Sequence, residues 1–151
     1  MGKSAVEENL EEIETTPSNV FSVLTDISLA SAWGKTDKGY MAFPSAQNLR
    51  LGQRIDVRPQ GMKEPFTVKV KLIRHDQMIQ MDIIEGPFFG NLEMSVEERP
   101  YGTLLRSNLN YRIERPGFNL KWKLSEKKKY HAFMNEILGN IKKFAEMREK
   151  E

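Results

Sequence analysis

An apolar stripe near the end of the chain constrains the fold more than any other feature. Between Ser125 and Met147, apolar residues recur with the 3.6-residue period of an α-helix, at Tyr130, Phe133, Met134, Ile137, Leu138, Ile141, Phe144 and Ala145. The opposite face carries lysine, asparagine and glutamate and should meet water. A long helix that is apolar on one side needs a broad apolar surface to pack against.

The middle of the chain supplies that surface as a series of predicted strands. Strands are predicted at 5–14, 40–43, 53–58, 66–72, 78–85, 92–96 and 105–113, and in most of them apolar residues alternate with polar ones. Short turns join these strands, which predicts an antiparallel sheet with one wet and one dry face. Thr16-Pro17 predicts the start of a short helix, and a second one is predicted from Ser28 to Trp33, closed by Gly34.

Together these elements predict an α+β fold. We expect a curved antiparallel sheet of about seven strands wrapped around the long C-terminal helix, because a twisted sheet of this size cannot close on itself. Residues 1–151 are expected to form a single domain, with an apolar cavity between sheet and helix. Residues 118–124 are ambiguous, because their strict alternation of apolar and polar residues suits a strand. If they are helical, their apolar face is out of phase with the stripe that follows, which predicts a bend near Leu124-Ser125.

Composition argues against several kinds of function. The absence of cysteine excludes disulfides, a thiolate metal site and a thiol nucleophile, and His75 and His131 show no metal-ligand spacing, so we expect no metal. No phosphate-binding or dinucleotide motif is visible, and no cofactor is predicted. A net charge of +2 does not suggest nucleic acid, and no apolar run approaches the ~20 residues that stable membrane insertion requires. With no secretory signal visible at the N-terminus, a cytoplasmic location is expected.

Two segments resemble a known superfamily. The run from Ile13 to Asp26, followed by Trp33, is similar to the strand-to-helix segment of START-like (SRPBCC, helix-grip) proteins, and Glu85-Gly86-Pro87-Phe88 is similar to a turn in their polyketide cyclase and coenzyme Q-binding branch. The Trp-x-Phe of that branch is replaced by Leu92-Glu93-Met94, which argues against coenzyme Q itself. The resemblance favours a helix over 118–124. It implies a pocket between sheet and helix, and either ligand carriage or cyclase-type chemistry.

The residues predicted to line this pocket are apolar or aromatic and fall on the inner faces of the predicted elements. They are Trp33, Phe43, Ile55, Val57, Val68, Val70, Met81, Ile83, Phe88, Met94, Leu109, Tyr111, Tyr130, Phe133, Met134 and Ile137. All of them could equally be core residues that touch no ligand. Asn9 and Glu11 could also face inward, although solvation on the strand surface is the favoured interpretation.

Three functions remain open. The first is binding or transport of a small hydrophobic ligand, such as a lipid, isoprenoid or polyketide-like molecule. The second is an aromatase/cyclase- or dehydratase-type enzyme, for which Tyr111 and His131 are weak catalytic candidates, each with a plain structural interpretation. The third is a protein-interaction module that offers Lys127, Lys128 and Lys129 to an acidic partner.

Overall fold

A computed structural model describes the backbone of residues 4–150 and the side chains of residues 4–148. The elements run in the order β1 (Ala5–Ile13), α1 (Pro17–Thr25), α2 (Ile27–Trp33), β2 (Lys35–Thr36), β3 (Gly39–Ala42), β4 (Arg54–Pro59), β5 (Phe66–Arg74), β6 (Met78–Glu85), β7 (Phe89–Arg99), β8 (Gly102–Arg112), α3 (Pro116–Lys121), a π-helical turn (Trp122–Glu126) and α4 (Lys127–Lys150). None of the helices in the described part has the length and apolar character needed to cross a membrane.

The strands form one antiparallel sheet in the order β1-β8-β7-β6-β5-β4-β3-β2. Only β1 lies out of sequence order, because it pairs with β8 over its whole length, from Ala5 opposite Tyr111 to Ile13 opposite Thr103. The α+β helix-grip prediction is confirmed. The sheet has eight strands because Lys35 and Thr36 add a two-residue strand, too short to show an alternating pattern.

The predicted stripe forms the inner face of α4. Tyr130, Phe133, Met134, Ile137, Leu138, Ile141 and Ala145 are all 0% exposed. They pack in one hydrophobic core with inward residues of the sheet, among them Ile55, Val68 and Leu109. Full burial of a large apolar side chain stabilises a fold by about 1.5–3 kcal/mol, so burial of the stripe contributes substantially to the stability of this fold.

Local signals at the two short helices also appear in the structure. The Thr16 hydroxyl accepts a hydrogen bond from the backbone N–H of Asn19 (3.2 Å), and Pro17 occupies the first turn of α1. The Asp26 carboxylate caps α2 through the Ser28 N–H (3.0 Å). The Asn19 side-chain amide donates to the Ala145 carbonyl of α4 (2.7 Å), which ties α1 to the long helix.

Residues 118–124 are helical, which resolves the ambiguity of their alternating pattern. Phe118 and Trp122 are buried, whereas Leu120 and Leu124 are 61% and 70% exposed, so each pair occupies its own side of the helix. A π-helical turn covers Leu124 and Ser125, where a bend was predicted. Its wider turn accommodates the change in helical phase between Trp122 and the stripe of α4.

Two glycines provide a matched test of the packing. Gly90 has φ +145°, and a Cβ there would lie 1.9 Å from the Asn110 carbonyl oxygen, whereas a Cβ on Gly139 of α4 meets nothing within 4 Å. We expect Gly90→Ala to lower the free energy of unfolding by about 1–3 kcal/mol. Gly139→Ala should raise it by about 0.5–1 kcal/mol. Urea unfolding of both variants checks this, and equal midpoints would contradict the close approach of β7 to β8.

Candidate ligand-binding site

Six aromatic rings meet where α3, the π-helical turn and the start of α4 face the sheet. This aromatic cluster consists of Phe66, Phe88, Tyr111, Phe118, Trp122 and Tyr130, each at most 8% exposed. The Phe88 ring is central, with ring centroids 4.8 Å from Trp122 and 5.3 Å from Phe66. Trp122 is 5.9 Å from Tyr130. Such edge-to-face and tilted pairs stabilise a core beyond their buried area.

A hydrogen-bonded chain adjoins this cluster, and we call it the Glu7 network. The Tyr111 hydroxyl donates to Glu7 Oε2 (2.6 Å), and the Trp122 indole N–H donates to the Tyr111 oxygen (2.8 Å). His131 Nε2 lies 2.8 Å from Glu7 Oε1, and Lys127 Nζ lies 3.8 Å from the same oxygen. Glu7 is only 7% exposed, and these partners offset the cost of burying its charge.

The two buried phenols are held neutral. Burial raises the pKa of Tyr111, the hydrogen bond to Glu7 raises it further, and the Trp122 hydrogen bond lowers it in part. Burial also raises the pKa of Tyr130, an effect that the Ser107 hydroxyl partly offsets. Both hydroxyls therefore keep their protons, which Tyr111 donates to Glu7 and Tyr130 donates to no described group.

Several buried oxygens in the described part of the chain have no hydrogen-bond partner. They include the hydroxyls of Tyr130 and Ser107, both in residues that are 0% exposed. Although Ser107 is close enough to Tyr130 to affect its pKa, the two hydroxyls do not reach hydrogen-bond geometry. Glu126 accepts the Lys63 N–H at one carboxylate oxygen (2.9 Å), while its other oxygen is buried and unpaired. Unpaired buried polar groups are rare in folded proteins and call for an explanation.

The structure separates the predicted lining residues into three groups. Phe88, Tyr111 and Tyr130 join the aromatic cluster. The ring centroids of Trp33 and Phe43 lie 5.2 Å apart, and the Trp33 indole N–H donates a hydrogen bond to the Val23 carbonyl. This hydrogen bond gives Trp33 a structural role. The others belong to the core or pack against it, and they are Ile55, Val57, Val68, Val70, Met81, Ile83, Met94, Leu109, Phe133, Met134 and Ile137. A role of any of them in ligand binding stays a prediction.

Several clefts open on the surface of the described part of the molecule. One cleft of about 450 Å³ lies between α4 and the β2 region and is lined by polar residues such as Lys35 and Asn140. A second of about 430 Å³ contains Lys38, Lys128 and Lys129. The cavity predicted between sheet and helix is not among these clefts and stays a prediction.

Sequence reasoning missed Glu7, Ser107, Trp122 and Glu126 as site residues. Glu7 lies in a glutamate-rich strand and bonds to Tyr111 across 104 positions of the sequence. The one available signal was the alternation of β1, which puts every second residue before Ile13 on its inward face. The prediction that Asn9 would be solvated on the strand surface was wrong. Asn9 is 5% exposed, and its amide donates to the Asn135 side chain of α4 (2.7 Å).

The two histidines occupy different environments. His75 is exposed in the turn between β5 and β6, beside Asp76. The His131 side chain is 29% exposed and bound to Glu7, so it is not a freely solvated residue at the edge of the stripe. Within the described residues, no group of three or more His, Asp or Glu side chains is arranged to hold a metal.

Solved structures share this fold. Neither family models nor curated protein sequences match the chain. Protein TTHA0849 of Thermus thermophilus is similar over 95% of this chain and 97% of its own, with a TM-score of 0.69 and 13% identity. Major latex-like protein 151 of Panax ginseng matches over 95% of this chain and 99% of its own (TM-score 0.68, 12% identity). Norcoclaurine synthase of Thalictrum flavum, solved with dopamine and hydroxybenzaldehyde, matches over 95% of this chain and 87% of its own (TM-score 0.68, 15% identity). These likenesses show the helix-grip fold.

The raised pKa of Tyr130 predicts a stability change in alkali. Below the ordinary tyrosine value of 10.0 both states keep the proton, but at higher pH the unfolded chain loses it while the folded protein retains it. The free energy of unfolding should therefore fall by up to about 1.4 kcal/mol per pH unit from this residue. Urea unfolding between about pH 10 and 11 should show the free energy of unfolding falling less steeply with pH in Tyr130→Phe than in the unsubstituted protein. Tyr40→Phe, at a position 45% exposed, is the control, and identical slopes in both variants would contradict this account.

Proposed function

We propose that the protein binds a small, mostly apolar molecule with one hydrogen-bonding group, between the sheet and the first half of α4. One observation carries the proposal: the Tyr130 and Ser107 hydroxyls are fully buried and unpaired in a region of aromatic side chains. Leaving a buried polar group without a partner costs about 1–3 kcal/mol. A ligand that pairs with these hydroxyls would recover that free energy.

The surroundings indicate the kind of ligand. Aromatic rings on several sides favour a flat or ring-containing molecule that can stack or meet them edge-on. A hydroxyl both donates and accepts hydrogen bonds, so Tyr130 and Ser107 suit a ligand carbonyl or hydroxyl. Many apolar contacts with few converging polar groups are typical of small-molecule sites. Within the class of lipids, isoprenoids and polyketide-like molecules, this lining favours the ring systems.

Binding at this position requires Trp122 and Phe118 to move, because their rings occupy the space against Phe88. Both belong to the segment formed by α3 and the π-helical turn, and they are its buried aromatic side chains. A π-helical turn is a less regular hydrogen-bonded structure than an α-helix and is frequent at functional sites. We therefore assign ligand access to an outward shift of this segment.

Calorimetric titration with 2-naphthol, and with naphthalene as its counterpart lacking the hydroxyl, tests the proposal. We expect saturable binding of both, with 2-naphthol the tighter ligand. Tyr130→Phe and Ser107→Ala should each weaken 2-naphthol about five- to tenfold and leave naphthalene unchanged, because only the hydrogen bond is lost.

Two further measurements sharpen this experiment. Tyr40→Phe, outside the core, should leave both affinities unchanged. A native mass spectrum of freshly purified protein should show a co-purified small molecule. The proposal fails if neither compound saturates and no molecule co-purifies.

A second candidate function is cyclase- or dehydratase-type catalysis, favoured by the way Glu7 joins Tyr111 to His131. In an aldol-type cyclisation, the Glu7–His131 pair would take a proton from the carbon beside a carbonyl. The Tyr111 hydroxyl would then donate its hydrogen bond to the oxygen of the enolate that forms, instead of donating it to Glu7. Acid–base groups of this kind typically contribute about 10²–10⁴-fold in rate.

Substitution of the two candidate residues tests this chemistry. Tyr111→Phe and His131→Gln should each lower turnover of a linear poly-β-ketone about 10²-fold while the protein stays folded by circular dichroism. His75→Gln, at an exposed turn, is the matched control and should have no effect. Turnover that is the same in all three variants would count against catalysis without affecting the binding proposal.

A further inference from the structure

The outer side of α3 and the π-helical turn exposes two leucines one turn apart. Leu120 is 61% and Leu124 is 70% exposed, although Phe118 and Trp122 of the same segment are buried. Single exposed apolar residues are common on protein surfaces. Here two of them lie one turn apart on the same segment.

Lysines surround the two leucines. Between Arg115 and Lys129 the chain has six basic residues and one acidic residue, Glu126, which is buried. Lys121, Lys123 and Lys128 are exposed and form no ion pair with the described residues. Two other basic residues of this stretch do have acidic partners, Arg115 in Glu64 and Lys127 in Glu7. The charges of Lys121, Lys123 and Lys128 are therefore left unpaired beside the exposed leucines.

We propose that this lysine–leucine face, formed by Leu120, Lys121, Lys123, Leu124 and Lys128, docks on the surface of an anionic lipid bilayer. Leucine side chains gain free energy by entering the boundary between headgroups and acyl chains, and nearby lysines are attracted to anionic headgroups. Flexible lysine stems let the ammonium groups stay in water while the leucines insert. The contact is peripheral and needs no spanning helix.

A bilayer suits this face better than an acidic protein does. Two leucines cannot supply the area of roughly 800 Å² per partner that a stable protein interface buries. The face also lacks the exposed Trp, Tyr and Arg residues that dominate binding energy in such interfaces. A bilayer requires no shape complementarity and rewards each inserted side chain separately.

The position of the face matters for ligand exchange. The segment that would touch the bilayer carries Phe118 and Trp122 of the aromatic cluster on its opposite side. Docking would therefore bring the proposed binding region next to a reservoir of apolar molecules. The docking proposal stands independently of ligand binding, because it depends only on the exposed residues.

Vesicle flotation with the full chain tests the proposal. We compare phosphatidylcholine vesicles with vesicles containing about one third phosphatidylserine, and expect binding only to the second, weakening as salt rises. The double variant Lys121→Gln/Lys123→Gln should lower the partition coefficient by about tenfold or more, as should Leu120→Ser/Leu124→Ser.

Matched controls lie elsewhere on the surface. Lys69→Gln/Lys71→Gln removes the same charge from β5, and Leu51→Ser removes an apolar side chain that is 65% exposed. Both controls should float like the parent, and all variants should keep its unfolding temperature because the substituted side chains are exposed. The proposal is overturned if the parent does not bind the anionic vesicles. It is equally overturned if both double variants bind as well as the controls, or if only an acidic polypeptide such as polyglutamate binds this face.

Discussion

The packing of the apolar stripe of α4 on the inner face of the curved sheet is the contact on which the rest of the structure depends. The sheet runs from β1 to β2 without closing, so its dry face would meet water if the helix were absent. Seven stripe residues that are 0% exposed supply the cover. The short helices contribute to the same core, with Val20, Phe21 and Ile27 buried, and are tied to α4 through Asn19.

This packing also explains why polar groups meet inside an apolar domain. The pairing of β1 with β8 carries the acidic start of the chain alongside the basic helix at its end, where Lys142 approaches Glu11 (3.7 Å) and His131 approaches Glu7 (2.8 Å). Exposed ion pairs contribute little to stability. The buried Glu7 network differs, because its carboxylate cannot lose a partner without a large desolvation cost. Its position between sheet and helix makes it part of the core and part of the candidate site at once.

Much of the fold was accessible from local patterns. The stripe of α4, the strand series and the Thr16-Pro17 start of α1 each follow from a short-range rule, and the structure contains all of them. Residues 118–124 were ambiguous because Phe118, Leu120, Trp122 and Leu124 alternate with polar residues as they would in a strand. In the helix Phe118 and Trp122 turn inward while Leu120 and Leu124 face water, so the same pattern serves two faces.

The sequence by itself determined the helix-grip architecture, because hydrophobic periodicity acts between near neighbours and states which face of each element must be buried. It also predicted an inward-facing phenol at Tyr111 and placed Tyr130 on the apolar stripe of α4. Only the tertiary structure decided which groups those hydroxyls meet: Glu7 and Trp122 for Tyr111, and no hydrogen-bond partner for Tyr130. The physical reason is that hydrogen bonds require atoms to lie about 3 Å apart. Strand register and the phase of the π-helical turn set such distances between residues that lie far apart in the chain.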